Sequence, residues 1–170
     1  MPERSSNDLT SLVGRLYDQH GTALYRYALM LLADPAAAED AVQQVFASML
    51  SSGVATAIQH DREYLRQAVR NACYSMLRRR VTRAEVGDGT PLLEMVPGAG
   101  GSPDERVLLE QAMRGLTVDQ REVVHLHVYE GLTFQEIATM QDASINTVAG
   151  RYRAALQRMR QHLSAKGERA

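Results

Sequence analysis

Apolar residues recur at helical spacing along almost the whole chain, and one stretch of twenty residues interrupts them. Leu9, Leu12, Val13, Leu16 and Tyr17, followed by Leu24, Ala28, Leu31 and Leu32, trace one face of a helix, with Gly21 placed where that helix can break. Ala38, Ala41, Val42, Val45, Phe46, Met49 and Leu50 make a second stripe, which Asp34 can cap and Pro35 can start. "SSGVATAIQH" reads as a loop, and Asp61 can cap a third helix with Leu65, Ala68, Val69, Ala72, Met76 and Leu77 inward. Residues 84–103, "AEVGDGTPLLEMVPGAGGSP", then lose the period and collect Gly and Pro, as a flexible tether does, with Leu92, Leu93, Met95 and Val96 as a docking spot. No strand-like alternation appears anywhere. The expectation is an all-α chain of two small helical domains, 1–83 and 104–170, joined by a flexible linker over 84–103.

Capping signals punctuate the second half. Ser102, Pro103 and Glu105 form a capping box with proline at the first helical position. Thr117 with Gln120 starts another helix that Gly131 can end, Thr133 with Glu136 starts a third, and Ser144 starts a long fourth.

The net charge of −1 hides strong segregation. Residues 1–60 hold three Arg against six acids, whereas Arg62 to Arg83 hold seven Arg against Glu63 alone. Residues 84–145 hold three Arg against eleven acids, and 146–170 hold five Arg and Lys166 against Glu168. Two basic blocks alternating with acidic ones imply two separate contacts with a polyanion and acidic surfaces left for other partners. The charged start "MPERSSND", the absence of a signal-peptide pattern and the lack of an apolar run of membrane-spanning length indicate a cytoplasmic protein without membrane insertion. The lone cysteine, Cys73, excludes an internal disulfide framework and reads as a small packing residue. His125 and His127 diverge on a helix and have no acid or cysteine to complete a ligand set, and His20 reads as packing. No Ser-His-Asp set, phosphate loop or carboxylate pair stands out, so neither an enzyme, a metal nor a cofactor is expected.

Three segments carry functional chemistry. In "LTFQEIATMQDASINTVAGRYRAALQRM" a helix from Phe134 buries Ile137 and Ala138, a tight turn runs through Gln141–Ala143, and a second helix buries Ile145, Val148 and Tyr152. That is the pattern of a helix-turn-helix, whose second helix enters a DNA major groove; a plain three-helix core with a solvated face is the other reading, and the basic tail favours DNA. Ser144, Asn146, Thr147, Gly150, Arg151, Arg153 and Arg158 would lie on or near its DNA side. In "REYLRQAVRNACYSMLRRRVTR", Arg62, Arg66 and Arg70 repeat every four residues, Arg78, Arg79 and Arg80 extend the charge, and Tyr64 and Tyr74 are interleaved. Arg on phosphates with aromatics stacked on bases is how single strands are held; a solvated helix whose tyrosines only pack is the other reading of this block alone. On the second helix, finally, Glu39, Asp40, Gln43 and Gln44 crowd together with no Lys or Arg among them. The helix macrodipole accounts in part for the two acids at its start, but not for the two amides.

Together these segments resemble the extracytoplasmic-function group of the sigma-70 family, bacterial initiation factors built from two helical domains and a linker. "LYDQHGTALYRYALMLLADPAAAEDAVQQVF" looks like the first conserved region of that family, "YLRQAVRNACYSMLRRR" like its promoter-melting segment, and the stretch from Leu116 to Met159 like its C-terminal domain. The resemblance implies a sigma factor that binds core RNA polymerase through the β′ clamp and β flap, directs promoter recognition and opening, and answers to an anti-sigma factor. Asp40, Gln43 and Gln44 would meet the clamp, with Asp34 and Glu39 at the edge and Phe46 packing behind. Arg62, Tyr64, Arg66, Arg70, Asn71, Tyr74, Arg78, Arg79 and Arg80 would engage melting DNA.

The chain departs from the family in places. Gln44 stands where an acid is usual, Tyr64 and the segment "ASML" where Trp is frequent, and Ser75 replaces a frequent Asp. The recognition helix reads Thr147, Val148, Ala149, Gly150, Arg151 where Thr-Val-Lys/Arg-Ser-Arg is common, and Ala154 replaces a frequent Arg. The resulting expectation is reading dominated by shape and phosphate contacts. A sigma-like mimic that titrates an anti-sigma factor, or a dimeric duplex-binding regulator, are the competing functions.

Overall fold

The computed structural model describes residues 3–52, 61–83 and 102–167. The chain divides into two compact units, Met1–Thr90 and Pro91–Ala170. Every regular element among the described residues is helical. The tether expected over 84–103 lies outside the described residues except for Ser102 and Pro103, and so does most of the expected loop after Ser52.

Three helices build the first unit: α1 (Glu3–Leu32), α2 (Pro35–Ser52) and α3 (Asp61–Arg83), each packed on the other two. α1 does not break at Gly21. The glycine is buried inside a continuous helix, and a Cβ there would sit 3.5 Å from the Tyr17 ring. That is an ordinary van der Waals distance, so the ring does not require glycine; the ring itself meets Phe46 edge-on at a centroid distance of 5.1 Å. At its C-terminal end α1 is enclosed: Tyr27 through Leu32 are all buried, beyond what a one-face stripe implies. Ala33 then turns the chain in the left-handed region (φ 51°), its N–H reaching the Leu29 carbonyl at 2.8 Å.

α2 buries the expected stripe, Ala38, Ala41, Val42, Val45, Phe46 and Met49, while Leu50 stays exposed. On α3 the inward row is Leu65, Val69 and Cys73, all fully buried; Ala68, Ala72, Met76 and Leu77 sit at its half-buried margins. Cys73 is a buried free thiol, in keeping with a packing role.

The second unit comprises α4 (Pro103–Arg114), α5 (Val118–Val124, continued by a π-helical turn, His125–Tyr129), α6 (Phe134–Gln141) and α7 (Ile145–Gly167). The expected capping box at Ser102 forms, and the helix starts expected at Thr117 and Thr133 are capping boxes too. Glu105, Gln120 and Glu136 donate backbone N–H groups to the hydroxyls of Ser102, Thr117 and Thr133 at 3.3, 3.3 and 3.2 Å. Their side chains accept the return bonds at 2.8, 3.2 and 2.7 Å. Gly131 (φ 71°) lets the Leu132 N–H reach back to the Leu126 carbonyl at 3.0 Å, which closes the π-helical turn. α7 packs against α4, α5 and α6 over a core of Met113, Leu116, Val123, Val124, Leu126, Ile137, Val148 and Ala155.

Candidate functional site

The first surface is the outer face of α2. Asp34 caps the helix, its Oδ1 accepting the Ala37 N–H at 3.0 Å, and Pro35 occupies the first turn as expected. Glu39, Asp40, Gln43 and Gln44 are all exposed, opposite the buried stripe. Gln43 donates its amide to Glu39 Oε1 at 3.0 Å, which orders part of this face without adding a positive charge. Phe46 is buried and supports the helix from behind through Tyr17.

Asp34 has a second engagement. Its Oδ2 pairs with the Arg80 guanidinium, which also donates to the Leu32 carbonyl at 3.3 Å. The Ala37 N–H lowers the Asp34 pKa below its ordinary 3.8, partial burial opposes it, and Arg80 adds to the lowering. Arg80 thus ties α3 to the junction between α1 and α2. Asp34 and Arg80, expected on polymerase- and DNA-facing surfaces, instead hold each other.

On α3, Arg62, Tyr64, Asn71, Arg78 and Arg79 are exposed. Arg70 lies over the Tyr74 ring at 4.4 Å from its centroid, a cation–π contact that covers one face of the tyrosine. Asn71 accepts from the Gln67 amide at 3.4 Å. Arg66 departs from its place in the repeat, being only 6% exposed. One position past Leu65, it falls on the flank that helix packing covers, so its long stem is enclosed with the core row.

The helix-turn-helix is formed by α6 and α7. Ile137 and Ala138 are buried as expected, and Asp142 (φ 49°, ψ 49°) makes the turn in the left-handed conformation that a short polar side chain tolerates. Ser144 caps α7: its Oγ accepts the Thr147 N–H at 3.0 Å and lies 2.8 Å from the Thr147 hydroxyl. Val148 is fully buried, and Tyr152 packs on His127 and Phe134 at centroid distances of 5.0 and 5.4 Å. Ile145 is the correction here, 45% exposed instead of buried, because as the first residue of α7 it has no preceding helical turn to cover it.

Arg151 also differs from expectation. It bonds Gln141 Oε1 at 2.9 Å and pairs with Asp119 at 3.0 Å, while Gln141 donates to the buried Glu122 at 2.9 Å. This network joins α5, the end of α6 and α7, so Arg151 sets the angle of α7 more than it presents charge outward. Asn146, Arg153 and Arg158 are exposed, Arg158 lying 3.5 Å from the Gly115 carbonyl and from Gln120 Oε1. A Cβ at Gly150 would meet nothing within 4 Å. His127 Nδ1 lies 2.7 Å from the Leu132 carbonyl, and no cluster of three or more His, Cys, Asp or Glu suited to a metal occurs among the described residues. None of the described helices is long and apolar enough to cross a membrane.

The Asp34–Arg80 pair and the Glu122–Gln141–Arg151–Asp119 network were not legible in the sequence. Their members lie 10 to 46 residues apart, beyond the reach of helical spacing.

A three-helix unit with acidic and basic helices, followed by a unit carrying a helix-turn-helix, defines a helical transcription factor of two parts. Sigma-70 region 2 matches residues 16–83, and sigma-70 region 4 matches 106–159. The ECF RNA polymerase sigma factor SigL of Mycobacterium tuberculosis is 30% identical over 163 residues, 92% of each chain. SigK of Mycobacterium bovis is 26% identical over 94% of this chain and 95% of its own. The sigma factor RpoE of Bartonella quintana, solved in complex with the anti-sigma factor NepR, shares the fold at a TM-score of 0.67, with 22% identity over 93% of this chain and 95% of its own. The chain belongs to the sigma-70 family, in its extracytoplasmic-function group, and acts as a sigma factor in transcription initiation by RNA polymerase.

Proposed function

We propose that residues 1–83 dock on core RNA polymerase and melt the promoter, that 84–103 tether, and that 104–170 hold the upstream promoter element. The observation that carries this reading is the pairing of two opposite surfaces in one small unit. α2 turns Glu39, Asp40, Gln43 and Gln44 to solvent, and α3, packed on it, presents Arg62, Arg78 and Arg79. Acids and amides suit an Arg-bearing helix of the β′ clamp. Guanidinium groups with Tyr64 and Tyr74 nearby suit the phosphates and unpaired bases of opening DNA. The second unit engages the β flap and duplex DNA through α7.

The protein supplies binding and no catalysis of its own, it works in the cytoplasm, and an anti-sigma factor covers these surfaces when it is held inactive. Asp40, Gln43 and Gln44 are exposed on the face of α2 opposite its buried stripe, and this supports availability to such partners. The test is transcription with purified core polymerase on fragmented genomic DNA, reading start sites. Discrete starts that depend on the added protein support the reading, and their absence on every fragment sinks it.

A further inference from the structure

Ile145 is 45% exposed at the first residue of α7, although Val148, three residues on, is fully buried. One turn after Ile145 on the same row stands Ala149; Asn146 and Gly150 occupy the adjoining row, with Arg153 one turn further. The neighbouring polar groups are drawn elsewhere: the Thr147 hydroxyl lies on Ser144, and Arg151 is held by Asp119 and Gln141. Gly150 leaves an open spot where a methyl group would touch nothing within 4 Å. The strip that runs from exposed Ile145 therefore carries a second apolar side chain in half-buried Ala149, a half-buried glycine, and the exposed amide of Asn146 and guanidinium of Arg153. Glycine in a helix interior costs about 1 kcal/mol relative to alanine, and no contact among the described residues requires it here.

In the DNA major groove, the apolar group that base edges present is the C5 methyl of thymine. We propose that Ile145 and Ala149 pack on thymine methyl groups of the upstream promoter element, Gly150 letting the groove edge approach the helix closely. Asn146 then takes an adjacent base edge, and Arg153 a phosphate. This rests on the reading of α7 as the DNA-facing helix. It makes methyl contact, and not the usual pair of polar side chains, the source of base discrimination in this chain.

The experiment uses holoenzyme assembled from core polymerase and the full chain, on promoter fragments that it selects from genomic DNA. Each thymine of the upstream element is replaced in turn by deoxyuridine, which removes the methyl group and leaves the pairing edge intact. Loss of one methyl contact should weaken binding about fourfold at one or two positions. Ile145→Ala should weaken binding to thymine DNA by a comparable factor and abolish the difference at one of those positions; Ile145→Val, which keeps two methyl groups, should preserve it. Unchanged helical circular dichroism of both variants excludes loss of fold. Tolerance of deoxyuridine at every position, or an Ile145→Ala protein that still discriminates, overturns the proposal. A wild-type holoenzyme that selects no fragment at all overturns the reading of α7 itself, a result distinct from selective but methyl-blind binding.

Discussion

Arg80, near the end of α3, closes onto Asp34, which caps α2, across 46 residues of sequence. One carboxylate thereby does two jobs: Oδ1 holds the first turn of α2 and Oδ2 holds α3. The presentation of the acidic face of α2 depends on this junction, although neither residue belongs to that face.

Asp34→Ala should therefore lower stability by about 0.5–2 kcal/mol, the range for loss of an N-cap. Asp34→Asn should lower it less, since an amide oxygen still accepts the Ala37 N–H. The pH dependence has a definite sign. The folded pKa of Asp34 is lowered from 3.8, so its contribution is fully present above that value and is lost as pH falls through the folded pKa. Chemical denaturation at pH 7 and across the window below pH 4 should show the wild type losing its advantage over Asp34→Asn only in the acid range. A difference that is constant down to the lowest pH would exclude the charge contribution.

Core docking should run through Asp40, Gln43 and Gln44. Asp40 and Gln43 are exposed on the face opposite the buried stripe, so changing both to Arg alters charge without touching the core. The double variant should fail to co-elute with core polymerase on size exclusion while its helical signal stays at the wild-type level. Co-elution at unchanged affinity would place the docking surface elsewhere.

The helices were legible because each level of the sequence agreed. Three capping boxes formed at the positions the sequence marked, and the stripe on α2 buried as its spacing implied. Gly21 misled because the cost of about 1 kcal/mol for a glycine in a helix interior does not break a long helix that packing holds, here α1. The functional arginines were legible as a composition and not as individuals. Spacing put Arg62, Arg66 and Arg70 in one row, but Arg66 lies buried, Arg70 stacks on Tyr74 and Arg80 pairs with Asp34. Those differences depend on which neighbouring helix covers which flank, a tertiary fact that periodicity does not carry.

Arg151 should behave as a positioning residue. Its bonds to Gln141 and Asp119, with Glu122 buried behind Gln141, link three helices around the turn. Arg151→Ala should destabilise the second unit by about 1–3 kcal/mol, the range for a charged hydrogen bond lost from the fold. In a double-mutant cycle with Gln141→Ala, the two losses should fall short of additivity. Strict additivity in thermal unfolding would show that the network is not a unit.

The arginines of α3 should separate by exposure when DNA opening is measured. Arg62, Arg78 and Arg79 are exposed, so neutralising each should weaken promoter engagement and reduce the log–log salt slope by roughly 0.7 on single strands or 0.9 on duplex. Arg66→Ala should act differently. At 6% exposure its loss leaves a gap in the core flank, so it should lower the unfolding midpoint and leave the salt slope of the folded fraction unchanged. Tyr74 lies under Arg70, and stacking of a base on a tyrosine ring is worth about 1–3 kcal/mol. Tyr74→Ala should thus impair opening more than initial binding. Permanganate reactivity of promoter thymines, read beside filter binding at several salt concentrations, distinguishes these effects. If Arg66→Ala lowers the salt slope as Arg78→Ala does, Arg66 reaches DNA and its burial is relieved on binding. If the wild-type protein binds core polymerase yet the holoenzyme never yields reactive thymines, α3 does not open DNA, and its basic face serves another partner.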